Sequence, residues 1–199
     1  SLFLGLLLST HASAQLLHPA TPPDCKSVAA GGVVVTTVIL ATSSTSGGST
    51  HINSGASIIG TTSHVFTVNH SNHILHIDGT ALGILQAGSG FSGVVTSSGV
   101  TNLEVHISTG GGISVTPVGS LLAIDASAGT NSNLEVDNTG AIGGRSGGIL
   151  GDVVTITNNA AGTIRTSSGR AIMINGGGAS TVANSGAIGT VTGDIGIEG

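Results

Sequence analysis

Apolar and polar residues alternate in short runs along most of this chain. "VVTIT" (153–157), "AIMIN" (171–175), "HVFTV" (64–68), "HILHI" (73–77), "GISV" (112–115) and "LLAID" (121–125) all show a period of two. That period predicts strands with Val and Ile facing inward and Thr or Asn outward. No stretch shows the 3.6-residue period of a helix. Between the runs one bland phrase returns: "NTGAIGG" (138–144), "NAAGTIRT" (159–166) and "NSGAIGT" (184–190). Aligned on Ile142, Ile164 and Ile188, the copies stand 22 and 24 residues apart. A second phrase keeps step with the first: "SGGI" (146–149), "SGRAI" (168–172) and "TGDIGI" (192–197).

Upstream the repeat is blurred. "NSGASIIG" (53–60) restates the opening phrase, and "NLEVHI" (102–107) and "NLEVDN" (133–138) lie 31 apart, about one unit plus an insertion. Units of about 22 residues with two or three short strands predict an all-β β-solenoid. One such unit cannot bury its apolar side alone, whereas stacking creates a continuous core. A two-sheet sandwich is the alternative, but it predicts turns every 8–12 residues rather than a returning phrase. Roughly seven coils fit between residue 30 and the end, a rod of about 35 Å at the interstrand spacing. Each phrase is expected to make the same corner of its coil. Its corner residues are Asn138, Gly140 and Ile142, then Asn159, Gly162 and Ile164, then Asn184, Gly186 and Ile188. Gly and Asn are expected there because both tolerate a left-handed backbone.

Composition agrees with stacking. Gly is 34 of 199 residues, aromatics are 2% and charged residues 7%, against roughly 7% Gly and about 25% charged in an average domain. Like residues stack in ladders, and a stacked charge repels its own copy. Recurrent β-branched residues argue against disorder. The lack of a three-residue glycine period argues against collagen. Net charge is -5, with only Lys26, Arg145, Arg165 and Arg170 basic. Without a basic stripe or stacking aromatics, nucleic acid is excluded as a partner.

The chain opens "SLFLGLLLSTHASAQ". Residues 2–8 are an apolar run too short for a bilayer span, followed by a small-x-small pattern that predicts signal cleavage between Ala14 and Gln15. Residues 1–14 are thus expected to be a signal peptide truncated at its start, and 15–29 a mature N-terminal extension. Residues 30–199 are expected to be the solenoid, which continues beyond this sequence. Cys25 is the only cysteine. It cannot close an internal disulfide and is expected to be an unpaired thiol near a loose terminus.

An export signal followed by a Gly/Asn/Thr/Ser-rich β-solenoid with "N-x-G-x-I" phrases resembles the passenger region of bacterial autotransporters (type V secretion) and related β-helical adhesins. The resemblance covers residues 30–199 and is clearest from Asn138 onward. It implies a right-handed parallel β-helix at the bacterial cell surface or outer membrane, or secreted after cleavage. Its implied partners are a C-terminal β-barrel translocator of the same polypeptide, and ligands on host or neighbouring cells, or a second copy of itself. No cofactor is implied. The phrase reports architecture rather than chemistry. The barrel would lie downstream, so the sequence is expected to be an N-terminal fragment acting as stalk or adhesin.

Candidate chemistry is sparse. "SHVFTVNHSNHILHID" holds His64, His70, His73 and His76. Three or four imidazoles can bind zinc, but no Cys pair supports them, and alternation puts His73 and His76 on opposite faces. They are therefore expected to be surface histidines near a coil corner. Among nine acidic residues, Asp125, Glu135, Asp137 and Asp152 would converge if they fell on adjacent coils. Clustered carboxylates serve polysaccharide-cleaving β-helices as acid, base or calcium ligands. Against that enzyme stand the absence of Trp and Tyr and the scarcity of basic residues. Ser, His and Asp occur without a nucleophile phrase such as GxSxG. The calcium-binding phrase GGxGxDxUx is missing. Two Thr-x-Thr motifs, at 155–157 and 190–192, do not make the flat rank that ice binding needs.

Overall fold

The computed structural model describes residues 15–16, 25–28, 33–35, 38–40, 48–60, 64–84, 92–116, 122–128, 132–190 and 196–199. The expected signal peptide, including Ala14, lies outside them. The described residues form 22 strands and no helix. The strands make three sheets, of eight, seven and seven strands, and every pairing is parallel. The chain visits the first, second and third sheet in turn, so each strand pairs with the strand three elements along.

Alternation sets which side chains go inside. In the strand Asn102–Ile107, Leu103, Val105 and Ile107 are buried while Asn102, Glu104 and His106 are half-exposed. Register then stacks like on like. Leu75, Val105, Val136 and Ile156 form one fully buried column in the second sheet. Phe66, Val94, Ile124, Ile149 and Ile172 form another in the first. Ile113, Ile142 and Ile164 form a third, with Ile188 partly buried at its end. Together they make a single apolar cluster. Burial of this kind contributes about 0.8 kcal/mol per methylene. Ile142→Val should therefore cost about 1 kcal/mol, read as a shift of the urea midpoint with no change in slope.

The phrase isoleucines pair as aligned from sequence: Ile142 with Ile164, and Ile164 with Ile188. "NLEVHI" and "NLEVDN" are direct neighbours, matched at all six positions. Coil length is not constant, however. Asn138 bonds Asn158 across 20 residues, whereas Asn102 bonds Asn133 across 31. The stretch read as an extension supplies two strands, Gln15–Leu16 and Cys25–Val28, which pair with Val38–Leu40 and Ser49–Ile52. Cys25 thus opens a paired strand, and the pairing pattern begins ahead of residue 30.

The corners between the second and third sheets follow a rule of their own. Residues 53–56, 108–111 and 159–162 are corners of four residues; residues 78–79, 139–140 and 185–186 are corners of two; and from residue 53 onward the two kinds alternate coil by coil. Each four-residue corner closes a turn: the N–H of Ala56, Gly111 and Gly162 donates to the carbonyl of Asn53, Ser108 and Asn159. Gly55 and Gly110, inside two of these turns, have positive φ. The phrase glycines Gly140, Gly162 and Gly186 do not appear among the positive-φ residues, so the reason for them is space rather than handedness. A Cβ on Gly140 would overlap the carbonyl oxygens of Gly111 and Ser108, the two ends of the four-residue corner on the preceding coil. Gly79 meets Ala56 and Asn53 in the same way, and Gly186 meets Gly162 and Asn159. Each short corner nests in the mouth of a long one. The last corner residue of each coil also accepts a hydrogen bond from the next coil: Thr80 to Ala56, Gly112 to Gly79, Ala141 to Gly111, Thr163 to Gly140 and Ala187 to Gly162.

Candidate functional site: the outer face of the second sheet

The strand position just before these corners is buried in every strand except the last, where Asn184 is exposed. It is Ile in the strands ending at Ile52, Ile77 and Ile107, and Asn in those ending at Asn138, Asn158 and Asn184. Register joins the three asparagines. Asn138 Nδ2 donates to Asn158 Oδ1 at 2.7 Å, and Asn158 Nδ2 to Asn184 Oδ1 at 2.7 Å. Asn138 and Asn158 are fully buried. The same amides reach the corner backbone, Asn138 at the Thr163 carbonyl and Asn158 at those of Gly162 and Ala187. This ladder explains why the phrase opens on Asn. Its middle member is Asn158. Asn159, aligned by the phrase, is the next residue outward, and its amide donates to Asp137 at 2.6 Å and to Thr139. The role is structural and leaves the outer face as the place for function.

On that outer face, alternation sets side chains in columns. One column runs His51, His76, His106, Asp137, Thr157. The His51 and His76 rings are 5.6 Å apart, and His76 and His106 stack at 5.1 Å with 18° between planes. Carboxylates flank the outer rings. His51 Nε2–H donates to Asp78 Oδ2 at 2.6 Å, and His106 Nε2–H donates to Glu104 Oε2 at 3.4 Å. Burial holds the His76 imidazole below its ordinary pKa, and the adjacent His106 and His51 push the same way. Hydrogen bonds from Ser108 and His51 hold Asp78 below the usual carboxylate range.

A neighbouring column runs Ile74, Glu104, Glu135, Thr155, Thr181. Beside it, Asn133 Nδ2 donates to Asn102 Oδ1, and Asn102 Nδ2 to Asn72 Oδ1. These side chains line an open groove of ≈ 410 Å³, in which Asn102, Glu104, Asn133, Glu135 and Thr155 present polar atoms. The carboxylates named from sequence do not all meet. Glu135 and Asp137 share one strand. Asp125 lies in the first sheet and accepts from Ser127 Oγ at 2.6 Å, while Asp152 sits at the corner ahead of the strand Val153–Asn158.

The four histidines of the sequence cluster separate. His73 and His76 do take opposite faces. His70 and His73 are not surface residues but buried ones, because they fall on the inward side of their segment. His70 Nε2 bonds His73 Nδ1 at 2.9 Å, and His73 Nε2 bonds Thr50 Oγ1 at 3.1 Å. His64 accepts from the Ser92 N–H at 2.8 Å, and burial lowers its pKa. Among the described residues, no three His, Cys, Asp or Glu side chains converge to hold a metal ion. The ladder partners His51 and His106 were not singled out from sequence. Aligning "HILHI" on "NLEVHI" would have found His106. Comparison with protein-family models, curated proteins and solved structures finds no match for this chain.

Proposed function

We propose that the three sheets wind as a right-handed parallel β-helix. We further propose that the chain is the exported, surface-displayed passenger of an autotransporter, working as a structural stalk or adhesin. The stride-three order of three parallel sheets supports the winding, and parallel crossovers are right-handed in about 98% of cases. The observation that carries the function is the outer face of the second sheet. There Asn, Glu, His and Thr repeat in register over the buried apolar columns. Such a face recognises a partner by length and repetition rather than by an enclosing pocket. Its partners would be ligands on host or neighbouring cells, or a second copy, and its own C-terminal β-barrel would carry it to the cell surface, to stay displayed there or to be secreted after cleavage.

The test expresses the whole open reading frame in a non-adherent bacterium. The expected result is protease-accessible passenger on intact cells together with surface binding or clumping. Binding should weaken severalfold in Glu104→Gln/Glu135→Gln, which changes the face and leaves the core alone. Passenger that stays inside the cell, or display without any adhesion, would sink the reading. The second reading, a polysaccharide-cleaving enzyme, draws on Glu104 and Glu135 standing in register in the groove. Polymer cleavage abolished by Glu135→Gln or Asp137→Ala would favour it.

A further inference from the structure

We propose that His51, His76 and His106 form an acid-sensitive clasp across three coils, with His76 stacked on His106 and tilted against His51, and opened by protonation of His76. The inference stands on geometry and holds whether or not the chain is an adhesin. Parallel register places one imidazole on each of the strands Ser49–Ile52, His73–Ile77 and Asn102–Ile107, directly above one another. Ring separations of 5.6 and 5.1 Å make the three rings one continuous contact. The interstrand spacing is set by backbone hydrogen bonds at about 4.8 Å, so charged rings stay close unless they leave the column by changing rotamer or the strands part.

The surroundings make the middle ring the sensitive one. Asp78 sits against His51 and Glu104 against His106. Asp137 follows His106 in the column, and Glu135 follows Glu104 beside it. Ser27, the residue in register ahead of His51, is uncharged. His76 lies between two imidazoles, and among the described residues it has no carboxylate in ion-pair contact. A proton on His76 therefore meets like charge on both sides once its neighbours are charged; Asp78 and Glu104 act the other way, each less than burial, His106 or His51.

The sign follows from linkage. His76 is held below its ordinary pKa by burial and by His106 and His51, so the unfolded or opened state binds more protons. Its contribution to stability is complete above the ordinary imidazole pKa of about 6.5 and is lost as pH falls below that value. Asp78 is also depressed, but its contribution is lost only below about pH 4. The two windows separate clasp opening from general acid unfolding. Between them, the second sheet should loosen at three strands while the apolar columns hold.

The experiment is a histidine-ring NMR titration of the full chain from pH 8 to 4.5, with amide hydrogen exchange at pH 7 and pH 5. The His76 midpoint is expected below the ordinary imidazole value and should rise in His51→Thr/His106→Thr; Thr is already found in this column at Thr157. Protection factors, taken against the intrinsic exchange rate at each pH, should fall at least tenfold more at residues 49–52, 73–77 and 102–107 than at 163–166 on going from pH 7 to pH 5. In His76→Thr that difference should vanish. An unchanged His76 midpoint in the double variant overturns the proposal. So does an acid response that persists in His76→Thr, because it would belong to His64 or to the buried His70–His73 pair. If His76→Thr fails to fold, the double-variant midpoint alone decides.

Discussion

Gly140→Ala should lower the thermal midpoint by about 10 °C, corresponding to about 3 kcal/mol for a chain of this size, although it adds a single methyl group. Overpacking costs typically about 1–3 kcal/mol where a flexible neighbour can yield. Here the obstacles are backbone. The new Cβ would overlap the carbonyl oxygens of Gly111 and Ser108, and would come within 2.8 Å of Ile107 Cγ2. Both carbonyls belong to a closed turn, and that of Gly111 also accepts from Ala141. Relief therefore requires two coils to separate, with loss of the hydrogen bond between them. Gly177→Ala is the matching control, since nothing lies within 4 Å of its Cβ position; it should shift the midpoint by less than about 2 °C. Paired calorimetric scans of the two variants make the measurement. Equal midpoints would mean that the corners are not nested as described.

Asn158→Ile should cost about 3 kcal/mol, whereas Asn138→Ile should stay within about 1 kcal/mol of the parent. The two residues occupy the same column, are both buried and receive the same replacement. They differ in what is left behind. Asn158 accepts from Asn138 and donates to Asn184 and to the carbonyls of Gly162 and Ala187. Removing it breaks the ladder in the middle and takes a side-chain donor from two corners. Asn138 begins the ladder above Ile107, and its Oδ1 has no hydrogen-bond partner. Asn138→Ile removes that orphan, creates another at Asn158 Oδ1, takes one long donor from the Thr163 carbonyl, and extends the isoleucine column by one coil. The unsatisfied acceptor simply moves one step, so little net cost is expected. Urea unfolding of both variants checks this; a cost at Asn138 as large as that at Asn158 would contradict the end-of-ladder account.

Strand identity was legible in the sequence because alternation is a local signal. "NLEVHI" and "NLEVDN" needed no structural help to be read as strands, or even as neighbours. The corner phrase was legible too, since stacked corners face the same steric demand on every coil. The assignment of its members was less so. Aligning on isoleucine made Asn159 the counterpart of Asn138, because a four-residue corner displaces the asparagine from the isoleucine by two more positions than a two-residue corner does. The site was hardest to read. Linear proximity drew attention to His70, His73 and His76, which alternation scatters between core and surface. The side chains that touch His76 lie a whole coil away on either side. Because coil length varies, no fixed offset points to them.

From residue 53 onward, the alternation of long and short corners gives changes of length a parity. Adding or removing a single coil would bring two corners of the same kind into contact. Two long turns would then face each other without the glycine that fits between their ends, or two short ones would meet with no mouth to receive them. Adding or removing a pair of coils keeps every corner opposite its complement. Over this part of the stack the module is thus the couple rather than the single coil, and deleting one coil there should cost more stability than deleting two.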